Sequence, residues 1–170
     1  MTTKVKTIEI ALENELRERD FYLRQSKKTD NPIGKKMFET IAQEENDHYN
    51  KLKMIHKELE SKGTWPEDVS IVVADTNIQE VLKELPSIAD KTFDSTADDK
   101  EAIRVAIEFE KQAHLFYINL KNKADDKKEM SFFDHMAKIE WEHMQSLQDT
   151  LFFFENPAGW YEEKEKPHFD

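Results

Sequence analysis

Apolar residues recur along this chain at alternating steps of three and four, the period of one face of an α-helix, and there is little sign of strands. Four long helices are predicted. The first covers about residues 5–28, with Ile8, Leu12, Glu15 and Tyr22 on one stripe. The second covers about 35–61, with Phe38, Ile41, Glu45, His48, Leu52, Ile55 and Leu59 aligned. The third, about 98–124, aligns Ile103, Ile107, Glu110, Tyr117 and Leu120. The fourth, about 128–154, aligns Phe133, Met136, Glu140, His143, Leu147 and Leu151. Pro32 and Gly34 break the first pair, and Asp125-Asp126 marks the turn of the second. Short turns make each pair antiparallel. Residues 63–97 are too long for a hairpin and predict a crossover between pairs 5–62 and 98–154. Within it, Ser70 to Ala74 is short and apolar, and 78–91 suits a small extra helix. The expected organisation is one all-α bundle over 1–156 and a tail over 157–170 that Pro157-Ala158-Gly159 separates from the last helix. The run Phe152-Phe153-Phe154 with Trp160 is too wide for one helix face. It suits a packed chain end or cover for a subunit partner.

Four glutamates on these stripes change the picture. Glu15, Glu45, Glu110 and Glu140 fall where the periodicity points inward, and a buried carboxylate without compensation is costly. The inward stripes offer few cations, Arg19 chief among them. The chain also repeats itself. An offset of 95 residues carries Glu15, Tyr22, Glu45 and His48 onto Glu110, Tyr117, Glu140 and His143. Each half supplies one lone Glu and one Glu-x-x-His, whose side chains at i and i+3 share a helix face. Two divalent cations would neutralise the four carboxylates, and two neutral imidazoles would complete the donor set. The expected metal ligands are therefore Glu15, Glu45, His48, Glu110, Glu140 and His143, with Glu45 and Glu140 bridging. Tyr22 and Tyr117 lie two turns beyond Glu15 and Glu110, where a phenol can hydrogen-bond a ligating carboxylate or pack in the core. His56, His114, His135, His168, Asp47 and Glu142 flank the stripes or lie in the tail and suit the surface or packing. His114, one turn after Glu110, is the one that could also tune the site.

Composition narrows the function. A formal charge of −11 and a pI near 5.1 leave no basic stripe for nucleic acid. The absence of Cys excludes disulfides, Cys-ligated zinc, iron–sulfur clusters and thiol catalysis. No apolar signal core follows Met1, and the longest strongly apolar run, Leu151 to Phe154, is far too short for a bilayer, so a cytoplasmic location is expected.

The segment Met37-Phe38-Glu39-Thr40-Ile41-Ala42-Gln43-Glu44-Glu45-Asn46-Asp47-His48, with Glu15 and Phe21-Tyr22, resembles the rubrerythrin-like branch of the ferritin-like superfamily over about 5–62 and 98–154. The resemblance implies a ferritin-like four-helix bundle with the six ligands above holding two iron ions. It implies a peroxide- or dioxygen-reducing oxidoreductase tied to oxidative stress. Electrons would come from an external donor protein such as a rubredoxin, since the four-Cys domain of full rubrerythrins is missing. Ala113 stands where those proteins carry a further Glu, which argues against their complete behaviour. Manganese or a mixed iron–manganese pair would suit the same donors. A homodimer or small homo-oligomer is the expected assembly, with helix exchange open. A ferroxidase that stores iron and a metal-free helical interaction module are the alternative functions.

Overall fold

The computed structural model describes residues 3–67, 72–83 and 97–165. Among the described residues six helices follow one another: α1 Thr3–Lys28, α2 Pro32–Lys62, α3 Ile78–Leu82, α4 Ala97–Lys123, α5 Lys127–Glu155 and α6 Pro157–Glu165. Local chemistry sets their limits. Asn31 caps α2 by accepting the N–H groups of Ile33 and Gly34 at 2.9 and 3.1 Å, with Pro32 in the first turn. Gly63 ends it at φ 70°, a left-handed conformation that glycine adopts without penalty, and its N–H reaches the Leu59 carbonyl at 2.9 Å. Asp126 caps α5 through the N–H groups of Lys128 and Glu129. Among the described residues, no helix is long and apolar enough to cross a membrane.

The helices pack as two antiparallel pairs, α1 on α2 and α4 on α5. Contacts between pairs fix the overall order. Tyr22 of α1 meets Glu110 of α4, and Tyr117 meets Glu15, so α1 and α4 run antiparallel. His48 lies beside Glu140 and Glu45 beside His143, so α2 and α5 do as well. The result is an up-down-down-up bundle, in which the end of α2 and the start of α4 lie at opposite poles. The connection therefore travels the length of the bundle. Trp65 packs edge-on against Phe132 and Phe133, and the Val73 carbonyl accepts the His135 Nε2 proton at 2.9 Å. Ile78 and Val81 of α3 then bury in the apolar cluster at the far pole.

That core has two apolar lobes. One gathers Ile8, Leu52, Ile55, Phe133 and Met136. The other gathers Phe21, Ile33, Phe38, Ile103 and Leu147. Along each helix the inward glutamates and histidines fall between the two lobes.

The C-terminal segment departs from expectation. Residues 157–165 are not an extended tail but helix α6, and Trp160 is buried edge-on against Phe153, with ring centroids 5.4 Å apart. The reason is local: Asn156 Oδ1 accepts the Gly159 N–H at 3.0 Å, so Pro157 opens a helix after a one-residue break. Phe153, Phe154 and Trp160 thus form a packed chain end. Of the small helix expected over 78–91, the structure contains 78–82; residues 84–91 lie outside those described, as do Ser70, Ile71 and His168. Replacing Trp160 with Ala empties a packed aromatic site and is expected to cost about 3 kcal/mol. Urea unfolding of the two proteins measures it, and a loss near zero would mean that α6 contributes nothing to the core.

Candidate metal centre

Six side chains converge between the two lobes. Glu15, Glu45, Glu110, Glu140, His48 and His143 are each no more than 1% exposed. They form two groups that share Glu45 and Glu140: Glu15, Glu45, His48 and Glu140 in one, and Glu45, Glu110, Glu140 and His143 in the other. Within each group, ligand atoms of all four residues lie within 4.8 Å of one another. The i, i+3 spacing puts Glu45 and His48 on one face of α2, and Glu140 and His143 on one face of α5.

The geometry is that of donors around a missing charge. His48 Nδ1 lies 3.4 Å from Glu15 Oε2, 3.6 Å from Glu45 Oε2 and 3.4 Å from Glu140 Oε1. His143 Nδ1 lies 3.3 Å from Glu45 Oε1 and 3.4 Å from Glu110 Oε2. Both ring nitrogens lack a hydrogen-bond partner, as do Oε2 of Glu15 and Glu110 and both oxygens of Glu45 and Glu140. Donors about 2.1 Å from a common divalent ion stand about 3.0–3.4 Å apart. The donor atoms are thus oxygen and imidazole nitrogen, near ligand-edge spacing and free of other partners. These residues fit a pair of divalent metals. Glu45 directs one oxygen to each imidazole, as a bridging carboxylate must.

Two tyrosines complete the arrangement. Tyr22 donates to Glu110 Oε1 at 2.6 Å and Tyr117 donates to Glu15 Oε1 at 2.5 Å. Each phenol thus holds the lone Glu of the opposite half, ties one oxygen and leaves Oε2 to face the cluster. Burial pushes both phenols well above their ordinary range, followed by the adjacent carboxylate charge.

Two further residues bear on the site, Glu44 beside the α2 stripe and Glu18 on the α1 stripe. Glu44 accepts the His143 Nε2 proton at 2.8 Å on Oε2, which also accepts the Thr76 hydroxyl at 2.8 Å. Its Oε1 accepts the Asn77 N–H at 2.7 Å. The imidazole is thereby fixed with its Nδ1 toward the carboxylates, an outer partner of the kind that orients metal-binding histidines. The position equivalent to Glu44 in the other half is the buried Ile139. Glu18, one turn after Glu15, is also buried, with Oε2 unpartnered. Its place on the α1 stripe was readable from the spacing; the role of Glu44 depends on the crossover and was not. Three of the other candidates are engaged away from the cluster. His114 donates to the Ala137 carbonyl, His56 pairs with Glu9, and Arg19 is engaged by Asp20 and Asn46.

Without metal the cluster stores protons. Burial, and then the Glu45 charge, raise Glu15 and Glu140 well above the usual carboxylate range. Glu18 rises for the same reasons. Burial opposes charge on both imidazoles, but Glu45 and Glu140 around His48, and Glu110 and Glu44 around His143, outweigh it and raise both. Burial would raise Glu45 as well, yet Glu15 carrying the proton and the two imidazoles hold it low.

A family model described as Rubrerythrin matches residues 6–151. No curated protein and no solved structure matches the chain.

The proton inventory has a sign. Glu15, Glu18 and Glu140 bind protons more tightly folded than unfolded, so their contribution to stability falls as pH rises above the ordinary value of 4.5. The imidazole contribution, complete below 6.5, is lost as pH rises through their raised folded values. Glu45 acts oppositely, below 4.5. Thermal unfolding of metal-free protein is therefore expected to move to lower temperature between about pH 5 and pH 8, with saturating divalent metal abolishing the trend. A flat profile without metal would contradict it. Glu44→Gln removes the anionic partner of His143, and metal affinity should fall about tenfold to a hundredfold, read by competition with a chromophoric chelator. Unchanged affinity would mean that Glu44 has no influence on the donor set.

Proposed function

The chain belongs to the rubrerythrin family, and on that footing we propose that it is a non-haem di-iron oxidoreductase reducing hydrogen peroxide, or dioxygen, with electrons from an external donor protein. The carrying observation is the convergence of unpartnered donor atoms from Glu15, Glu45, His48, Glu110, Glu140 and His143. Glu45 and Glu140 would bridge two ions, Glu15 with His48 would serve one, and Glu110 with His143 the other. The four carboxylates of this set match the charge of two ferrous ions, which lowers the cost of burying them.

A bound ferrous pair supplies two electrons and a Lewis-acidic surface for the oxygen–oxygen bond. The chain's own residues prepare that surface. Tyr22 and Tyr117 hold one oxygen of Glu110 and Glu15, so each terminal carboxylate is presented through Oε2. Glu44 Oε2 keeps the His143 proton on Nε2 and leaves Nδ1 as the electron-pair donor. The apolar lobes above and below exclude bulk water, which strengthens every charge interaction inside. Reduction of one peroxide to two waters consumes two electrons and two protons. The chain holds no Cys-based relay, so the electrons must return from a docked donor.

Anaerobic loading with ferrous iron should give about two ions per chain. One equivalent of hydrogen peroxide should then oxidise both, with loss of that stoichiometry in Glu45→Ala and Glu140→Ala. Rapid-mixing absorption and Mössbauer spectroscopy follow it. Iron that stays ferrous after peroxide would end the redox reading, and elemental analysis of native protein distinguishes iron from manganese.

A further inference from the structure

We propose that Glu18 is a seventh ligand of the centre, a fifth carboxylate serving the metal position between Glu110 and His143. The inference rests on the two-metal reading above and goes beyond its six-residue set.

Three observations support it. Glu18 is 8% exposed, and its Oε2 has no hydrogen-bond partner among the described residues. A buried carboxylate in that condition is costly unless a proton or a cation neutralises it, and a metal can take the place of the proton. The adjacent cation does not neutralise it: Arg19 turns to Asp20 and Asn46. The fields that reach Glu18 come from Glu45, Glu15, Glu140 and Glu110, all of them metal-facing carboxylates. The carboxylates of the cluster are thus near enough to act on its charge.

Position selects the metal. Three residues advance about 4.5 Å along an α-helix, so Glu18 stands that far beyond Glu15 in the direction of Tyr22. The Tyr22 hydroxyl rests on Glu110, 2.6 Å from Oε1. Glu18 is therefore displaced along α1 toward the half of the cluster that holds Glu110 and His143, the half opposite to its own helix ligand. The repeat makes the asymmetry plain. The residue 95 positions on is Ala113, also buried, whose methyl can ligate nothing. On this placement the two metal positions would be unequal, with Glu18 on the α1 side of the Glu110–His143 position and Ala113 at the equivalent place in the other half.

Cobalt(II) is a suitable probe, because its visible d–d bands intensify as coordination number falls and are read without any turnover. Metal-free protein would be titrated anaerobically with Co²⁺, alongside Glu18→Gln and Glu18→Ala. Wild type should bind about two ions per chain. The variants should also bind two, with one step weakened about tenfold and the bands of that step more intense. Variants whose affinities and spectra match wild type would overturn the role of Glu18 while leaving the two-metal centre intact. Failure of wild type to bind a pair would instead overturn the centre, before any variant is compared. Thermal unfolding without metal verifies the fold. Removing an unpaired buried acid should leave stability equal or higher, and should Glu18→Ala not fold, Glu18→Gln keeps the side-chain shape and carries the test.

Discussion

Mutual repulsion among four buried carboxylates is the constraint around which this molecule is organised. Glu15, Glu45, Glu110 and Glu140 come from four different helices and meet where water cannot screen them. Two apolar lobes, one on either side, hold the helices together against that repulsion. Each lobe is built from the same stripes that carry the acids, so packing and charge are alternate turns of one pattern. Protons on Glu15, Glu140 and the imidazoles relieve the repulsion in the metal-free molecule. In the proposed state metal ions do so, in competition with those protons.

The internal repeat becomes functional through antiparallel pairing. Because α1 and α4 run in opposite directions, the tyrosine two turns beyond each lone Glu reaches the Glu of the other half. Neither half can order its own terminal carboxylate. The same crossing puts Glu45 beside His143 and His48 beside Glu140. The repeat is not perfect, however. Glu18 answers to Ala113 and Glu44 to Ile139, so the environments of the two imidazoles differ in charge and in hydrogen bonding.

Much of this was legible in the chain. Four helices and the six converging side chains follow from the 3–4 spacing and the 95-residue offset, because helix faces are set by local geometry. The inward tyrosines were legible too, but their crossed partners were not, since helix direction between pairs depends on where the long connection ends. Glu44 escaped for the same reason: it sits beside the stripe, and Thr76 and Asn77 arrive from a segment distant in sequence. The C-terminal helix is a different case. Asn156-Pro157-Ala158-Gly159 reproduces the chemistry of Asn31-Pro32-Ile33-Gly34, an Asn cap followed by Pro in the first turn. Pro and Gly there were read as punctuation, whereas the Asn before them makes the run a start signal.

The hold of the crossover on Glu44 ties a segment outside the four-helix bundle to its interior. One carboxylate is shared among the Asn77 amide, the Thr76 hydroxyl and the His143 ring. Without the contacts from residues 76–77 that carboxylate would keep one of its three partners, the His143 ring, and would itself be less firmly placed. The orientation of one candidate donor nitrogen is thus tied to a segment outside the four-helix bundle, without that segment supplying a donor atom itself.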